Sequence, residues 1–181
     1  MTREVRAWLA FIPIGIVGNL EVPWVPTRRQ LLHHIMRIAK VRKGDVFFDL
    51  GCGDGRVVIE AAKRGARGVC VEIREDLIKE AMKKAKEEGV YDRIEFINDD
   101  FYRVDISRAT IVYMYLLTRV NEALRPKLER ELKPGTRVIT LDFEIPGWVP
   151  VHVEKHYTDG LERTIYLYIR GVSDTLRPIY S

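Results

Sequence analysis

The stretch "FFDLGCGDGR", Phe47–Arg56, decides the fold. With Val46 its first half forms "VFFDL", a short apolar run with the look of a buried strand. Gly51, Gly53 and Gly55 follow at alternate positions and lead into "GRVVIEAAKRG", a helical pattern stopped by Gly65. Glycine after a strand lets the chain turn sharply and lets a ligand come close to the main chain. The helix start adds unpaired amides and the positive end of a dipole.

The next elements repeat the alternation. "GVCVEI" is a second buried strand, and "REDLIKEAMKKAKEEG" is an amphipathic helix ended by Gly89. "RIEFIN", "ATIVYMYLL" and "TRVITLDF" supply three further strands, with the helix "RVNEALRPKLEREL" before the last of them. Strand and helix in turn argue for a parallel sheet covered on both faces. The ending differs: "VHVEKHYT" and "RTIYLYIR" are joined by "DGLE" with no helix between, which is an antiparallel hairpin. Upstream, Thr27 followed by Gln30 has the spacing of a capping box, which places a helix from Arg28 to Lys40.

Composition sets the bounds. The 181 residues suit one domain; 46% hydrophobic and 31% charged residues describe a soluble globular chain. The net charge of +4 permits a nucleic-acid partner without requiring one. Arg28, Arg29, Arg37, Lys40, Arg42 and Lys43 cluster early and suit a solvated helix face. Cys52 and Cys70 fit neither a metal motif nor a secreted disulfide framework, so a reducing cytoplasm is expected, and no metal. Few amides beside many Glu, Lys and Arg point to a thermophile. The apolar run Ala7–Gly18 is too short to span a bilayer and is expected to dock on the domain. His33 and His34 are helix neighbours that point apart, as surface or interface residues rather than ligands or bases.

The glycine motif carries acidic company. Asp49 ends its strand, Asp54 lies in the loop, and Glu72 ends the second strand, where a carboxylate accepts both hydroxyls of a ribose. So much negative charge disfavours a pyrophosphate and suits a cationic amino-acid nucleoside. This constellation resembles the class I S-adenosylmethionine-dependent methyltransferases over residues 20–170. The resemblance implies a Rossmann-like, doubly wound α/β fold with a seven-stranded, mostly parallel sheet closed by the hairpin. It implies S-adenosyl-L-methionine as cofactor. Gly51 and Gly53 would pass beneath its methionine part, Asp49 organise its ammonium, and Glu72 hold the ribose from an exposed cleft position. Asp100 and Phe101, in "NDDF", would meet the adenine. Thr27, Asp54, Ile73 and Tyr113 complete the expected cofactor set.

"VPWVPT", "DLGCGDGR", "YLL" and "LKPGTRVITLDFEIPGW" together resemble archaeal broad-specificity protein lysine methyltransferases. These are similar to the mitochondrial enzymes that methylate a lysine of the ATP synthase c-ring. The relatives often have proline after the threonine, where this chain has Arg28. The resemblance divides the chain into an N-terminal segment and active-site flap (1–26), a methyltransferase domain (27–170) and a tail (171–181). It implies a cytoplasmic monomer acting on exposed lysines of many proteins. Tyr115, Trp24 and Trp148 are candidate catalytic-channel walls, with Phe143 beside them, although aromatics at strand ends also suit a plain core. Asp142 and Glu144 are either a polar loop or the carboxylates that draw a cationic lysine. The alternatives are an RNA or small-molecule methyltransferase on the same fold, or a non-catalytic S-adenosylmethionine-binding subunit.

Overall fold

The computed structural model describes residues 14–17 and 20–23 as backbone and residues 25–176 in full. Trp24, one of the expected channel walls, lies outside the described residues. Strands β1 (Ile14–Val17) and β2 (Leu20–Pro23) pair antiparallel as a small separate sheet that the sequence pattern did not indicate. Then come α1 (Arg29–Ile38), β3 (Val46–Leu50), α2 (Arg56–Lys63), β4 (Arg67–Val71), α3 (Glu75–Glu87), β5 (Ile94–Ile97) and β6 (Ile111–Met114). The chain continues through α4 (Thr118–Glu131), β7 (Arg137–Leu141), β8 (His152–Thr158) and β9 (Leu161–Ile169). No described helix is long and apolar enough to cross a membrane.

The main sheet has seven strands in the order β5-β4-β3-β6-β7-β9-β8, as the Rossmann-like reading expects. Its first five strands pair in parallel, and β9 pairs antiparallel with both β7 and β8. The inner place falls to β9 because it carries the apolar load: Ile165 and Tyr168 are fully buried. The charged and largely exposed β8 takes the edge, where charge discourages further strand pairing. The hairpin loop is only Asp159 and Gly160, both at positive φ (52° and 75°), as a two-residue type I′ turn requires.

Successive strand residues face opposite layers. Phe47 and Tyr113 join α1, α2 and α3 in one core, whereas Phe48 and Met114 join α4, Ile106 and Trp148 in the other. The chain winds from β3 to β4 and β5 in one direction, then returns to β6 on the other side. That reversal opens a crevice beyond the carboxyl ends of β3 and β6, the place where such sheets bind ligands.

The opposite end of the sheet is closed by an ion pair between the buried Asp45 and the half-buried Arg137. Asp45 accepts bonds from the Thr110 hydroxyl (2.8 Å) and the Arg42 amide (3.0 Å), and meets the Arg137 guanidinium. Arg137 also donates to the carbonyls of Ala39 (2.6 Å) and Lys40 (3.0 Å), tying α1 to β7. Cys52 and Cys70 form a disulfide, contrary to the expectation of two free thiols. The Gly51 and Cys52 amides both bond the carbonyl of Val71, which folds the loop back over β4 and brings the sulfurs together.

Candidate active site

The glycine loop builds the floor of the crevice. Gly51 and Gly55 adopt positive φ of 78° and 77°. A side chain at Gly55 would meet Ala81 Cβ at 2.8 Å, so glycine there lets the start of α2 press against α3. The cleft above the loop holds about 670 Å³, its open mouth included. Gly51, Asp49, Glu72, Ile73, Phe101 and Tyr113 all line it.

Three carboxylates in this small space have different surroundings. Asp49 is fully buried, and its Oδ2 has no hydrogen-bond partner among the described residues. Burial raises its pKa well above the usual carboxylate value; the Val58 amide opposes this, and the charges of Glu72 and Asp54 add to it. Glu72 is buried rather than exposed as expected: Oε2 accepts the Gly53 amide and Oε1 the Arg74 amide, each at 3.0 Å. Burial raises its pKa too, against the pull of those amides. Asp54 is buried as well, yet Arg56 and Lys84 bond it and bring its pKa down to about 2. Its charge is thus spoken for. Arg56 passes the connection on, donating from Nη1 to the carbonyl of Thr27 at 3.0 Å.

Thr27 is not a helix cap. The helix begins at Arg29 with Arg28 as N-cap, and no side chain caps it. The Thr27 hydroxyl instead lies 2.8 Å from the buried Tyr113 hydroxyl of β6. Val25, Pro26 and Thr27 therefore form one wall of the cleft, fastened to β6 and to the glycine loop.

Tyr115 lines the cleft beside them. Its hydroxyl donates to Asp142 Oδ2 (3.1 Å) and accepts from Arg163 Nη1 (3.2 Å), and its ring stacks with Phe143 at 6.1 Å. Burial and Asp142 push its pKa to about 12, so it is a neutral wall. Asp142 sits at φ 62° and pairs with Arg163 at 2.6 Å, so its carboxylate is occupied. Trp148 does not reach the cleft. It is buried against Tyr168, and its indole N–H donates to Glu129 of α4 at 3.0 Å; a buried indole needs such a partner. Asp100 is half-buried and accepts the Tyr102 amide at 2.9 Å, next to Phe101. Arg56 and Arg163 were missed in the sequence. Arg163 sits in the last strand, far from any motif, and only strand order brings it to Tyr115.

The ANTKMT methyltransferase domain family matches residues 49–152, from the strand-end aspartate to the start of β8. The chain belongs to this family. A protein-lysine N-methyltransferase of Saccharolobus islandicus is 48% identical over 153 residues, covering 83% of this chain and 95% of the relative. The ATP synthase c-subunit lysine N-methyltransferase of Xenopus laevis is 32% identical, with 86% and 69% covered. A solved RNA methyltransferase from Salinibacter ruber, in complex with S-adenosyl-L-homocysteine, is 42% identical with a TM-score of 0.75, over 86% of this chain and 97% of that one.

As a class I methyltransferase of the ANTKMT family, the chain uses S-adenosyl-L-methionine as methyl donor. Its own residues fit that molecule. Asp49 Oδ2, without a hydrogen-bond partner among the described residues, is a buried carboxylate oxygen that a cationic donor would satisfy and hold ionised. Each Glu72 oxygen holds a single backbone amide and keeps lone-pair capacity for a hydroxyl.

Proposed function

We propose that this methyltransferase transfers the methyl group of S-adenosylmethionine to lysine side-chain amines of proteins, over a broad range of substrates. The observation that carries the reading is the 48% identity to a protein-lysine N-methyltransferase along 95% of that relative. In this reading Asp49 takes the cofactor's ammonium, while Gly51, Gly53 and Thr27 pass along its amino-acid part. Glu72 and Ile73 hold the ribose, Asp100 and Phe101 meet the adenine, and Tyr113 keeps Thr27 in place. Asp54 acts at one remove, through Arg56.

Bound S-adenosylmethionine supplies an electrophilic methyl group on a sulfonium, already joined to its leaving group. The chain's residues then have to align, dehydrate and deprotonate the acceptor. A lysine amine has a reference pKa of about 10.4 and must arrive neutral. The Tyr115 and Phe143 rings form a weakly polar wall that disfavours the ammonium form. Arg163 and Asp142 neutralise each other beside Tyr115, so the wall offers the amine no free carboxylate there to hold it as an ammonium.

The second reading, an RNA acceptor, is favoured by the description of the Salinibacter ruber structure and by the basic residues of α1. The structure takes part of that basic charge out of play: Arg28 pairs with Asp159 at 3.3 Å, and Arg37 pairs with Glu154. Isotope-labelled S-adenosylmethionine incubated with protein and cell lysate decides between them. Methyl-lysine after acid hydrolysis is the expected product. Label that is released by ribonuclease, with none in lysine, overturns the proposal.

A further inference from the structure

We propose that His34, Glu154 and His156 form a binding site for a divalent transition-metal ion of the zinc, cobalt and nickel class, joining α1 to the edge strand β8. The site lies outside the methyl-transfer cleft, and nothing in the proposed function depends on it.

Glu154 and His156 are two residues apart on β8, so their side chains leave the same face of the sheet. That face is turned toward α1, and His34 projects from the helix to meet them. His156 Nε2 lies 2.7 Å from Glu154 Oε1, and His34 Nδ1 lies 3.7 Å from the same oxygen. The two imidazole rings are close and tilted, 3.8 Å between centroids and 41° between planes. One ligand atom from each residue lies within 4.8 Å of the others. A tetrahedral ion with bonds of roughly 2.0–2.1 Å needs its ligand atoms about 3.4 Å apart.

A second observation points to a ligand. His34 Nδ1 and His156 Nε2 are both buried, and neither has a partner of good hydrogen-bond geometry among the described residues. His156 Nε2 lies 2.7 Å from Glu154 Oε1 at a poor hydrogen-bond angle, and His34 Nδ1 reaches the same oxygen only at 3.7 Å, so both ring nitrogens converge on one carboxylate oxygen. Buried nitrogens of this kind are normally satisfied. A metal ion satisfies both at once, because each offers a lone pair to it. Two imidazoles and one carboxylate select zinc, cobalt, nickel or copper over magnesium and calcium.

Two neighbours bear on the site. Arg37 contacts Glu154 Oε1 and competes with a cation for it, but half of the arginine side chain is exposed and it can turn out to water. His152 lies on the same face of β8, with Nε2 3.3 Å from Glu154 Oε2, where it orients the carboxylate. The His33 and His34 rings meet edge to face, 5.7 Å between centroids, rather than pointing apart, and the proposed ligand role of His34 departs from the sequence expectation that neither is a ligand. His33 meets Arg64 at 3.4 Å.

Tag-free protein, stripped with a chelator, should bind one Zn²⁺ per chain in calorimetry. At a hundredfold excess over Kd its Tm should rise by about 5–10 °C, and Mg²⁺ should do neither. Co²⁺ should give visible absorption bands of a low-coordinate N/O site. H34Q and H156Q, which keep side-chain bulk, should each weaken Zn²⁺ at least tenfold and remove the cobalt bands. H33Q should leave both unchanged. An absence of saturable Zn²⁺ binding overturns the proposal, as does binding that survives in the H34Q/H156Q double variant. Circular dichroism of each variant shows that the comparison is made between folded proteins.

Discussion

Asp49 sits at the end of β3 with Oδ2 buried and unmatched, facing the negative charges of Glu72 and Asp54. Its pKa in the folded protein lies above the unfolded value. A carboxylate shifted this way contributes stability at low pH, where the folded state holds the proton. That stability is lost as pH rises from the ordinary carboxylate range through the folded value. At neutral pH an ionised Asp49 is therefore a cost to the ligand-free protein, which a bound ammonium offsets. Asp49→Asn should raise the Tm of the ligand-free protein and weaken S-adenosylmethionine binding by roughly 10- to 100-fold, the worth of one charged hydrogen bond. Melting curves and calorimetry check both signs. A variant that melts lower and binds equally well would make Asp49 a structural acceptor. Asp54, within the glycine turn, has the opposite behaviour: its pKa of about 2 means that its stabilisation is present above the unfolded value and fades as pH falls toward 2.

At the scale of elements, Thr27 fastens the segment before α1 to the sheet through the buried Tyr113 hydroxyl and to α2 through the bond from Arg56 to its carbonyl. Tyr113→Phe keeps the ring and removes the hydroxyl. It should raise the KM for S-adenosylmethionine several-fold while costing about 1 kcal/mol of stability, because the core around the ring stays filled. Steady-state kinetics beside denaturant melts separate the two effects; an unchanged KM would detach Thr27 from the site. The same segment shows where sequence reading stops. The strands, the glycine turn and the closing hairpin were legible because apolar runs and glycines are local signals. Thr27 and Gln30 matched a capping box, but the hydroxyl found a buried partner 86 residues away, and such a partner leaves no trace in local spacing. Trp148 was misread for a similar reason: Glu129 on α4 claims its indole N–H, and side-chain direction after a turn is not encoded in spacing. The disulfide escaped because strand adjacency, not cysteine spacing, brings Cys52 to Cys70.

Across the whole molecule the two ends of the sheet have separate duties. The carboxyl end is open and holds the cleft; the amino end is sealed by Asp45 and Arg137. Arg137→Ala would leave Asp45 buried beside only neutral donors. It should destabilise the fold by about 3–5 kcal/mol and leave the cofactor Kd of the remaining folded protein unchanged. Denaturant melts and calorimetry below the transition test this; a shifted Kd would mean that the two ends are coupled. Strand order has a consequence for synthesis on the ribosome. One edge of β7 pairs with β6 and the other with β9, the last of the described strands to be made, while β8, made between them, lies at the rim. Until β9 leaves the exit tunnel, the growing chain carries the "RVITL" edge of β7 uncovered, an invitation to sticky pairing with its neighbours on a polysome. Arg163 arrives on that same strand, so the wall around Tyr115 stays unfinished until then. The nascent chain thus completes the wall around Tyr115 and covers the free edge of β7 in one step.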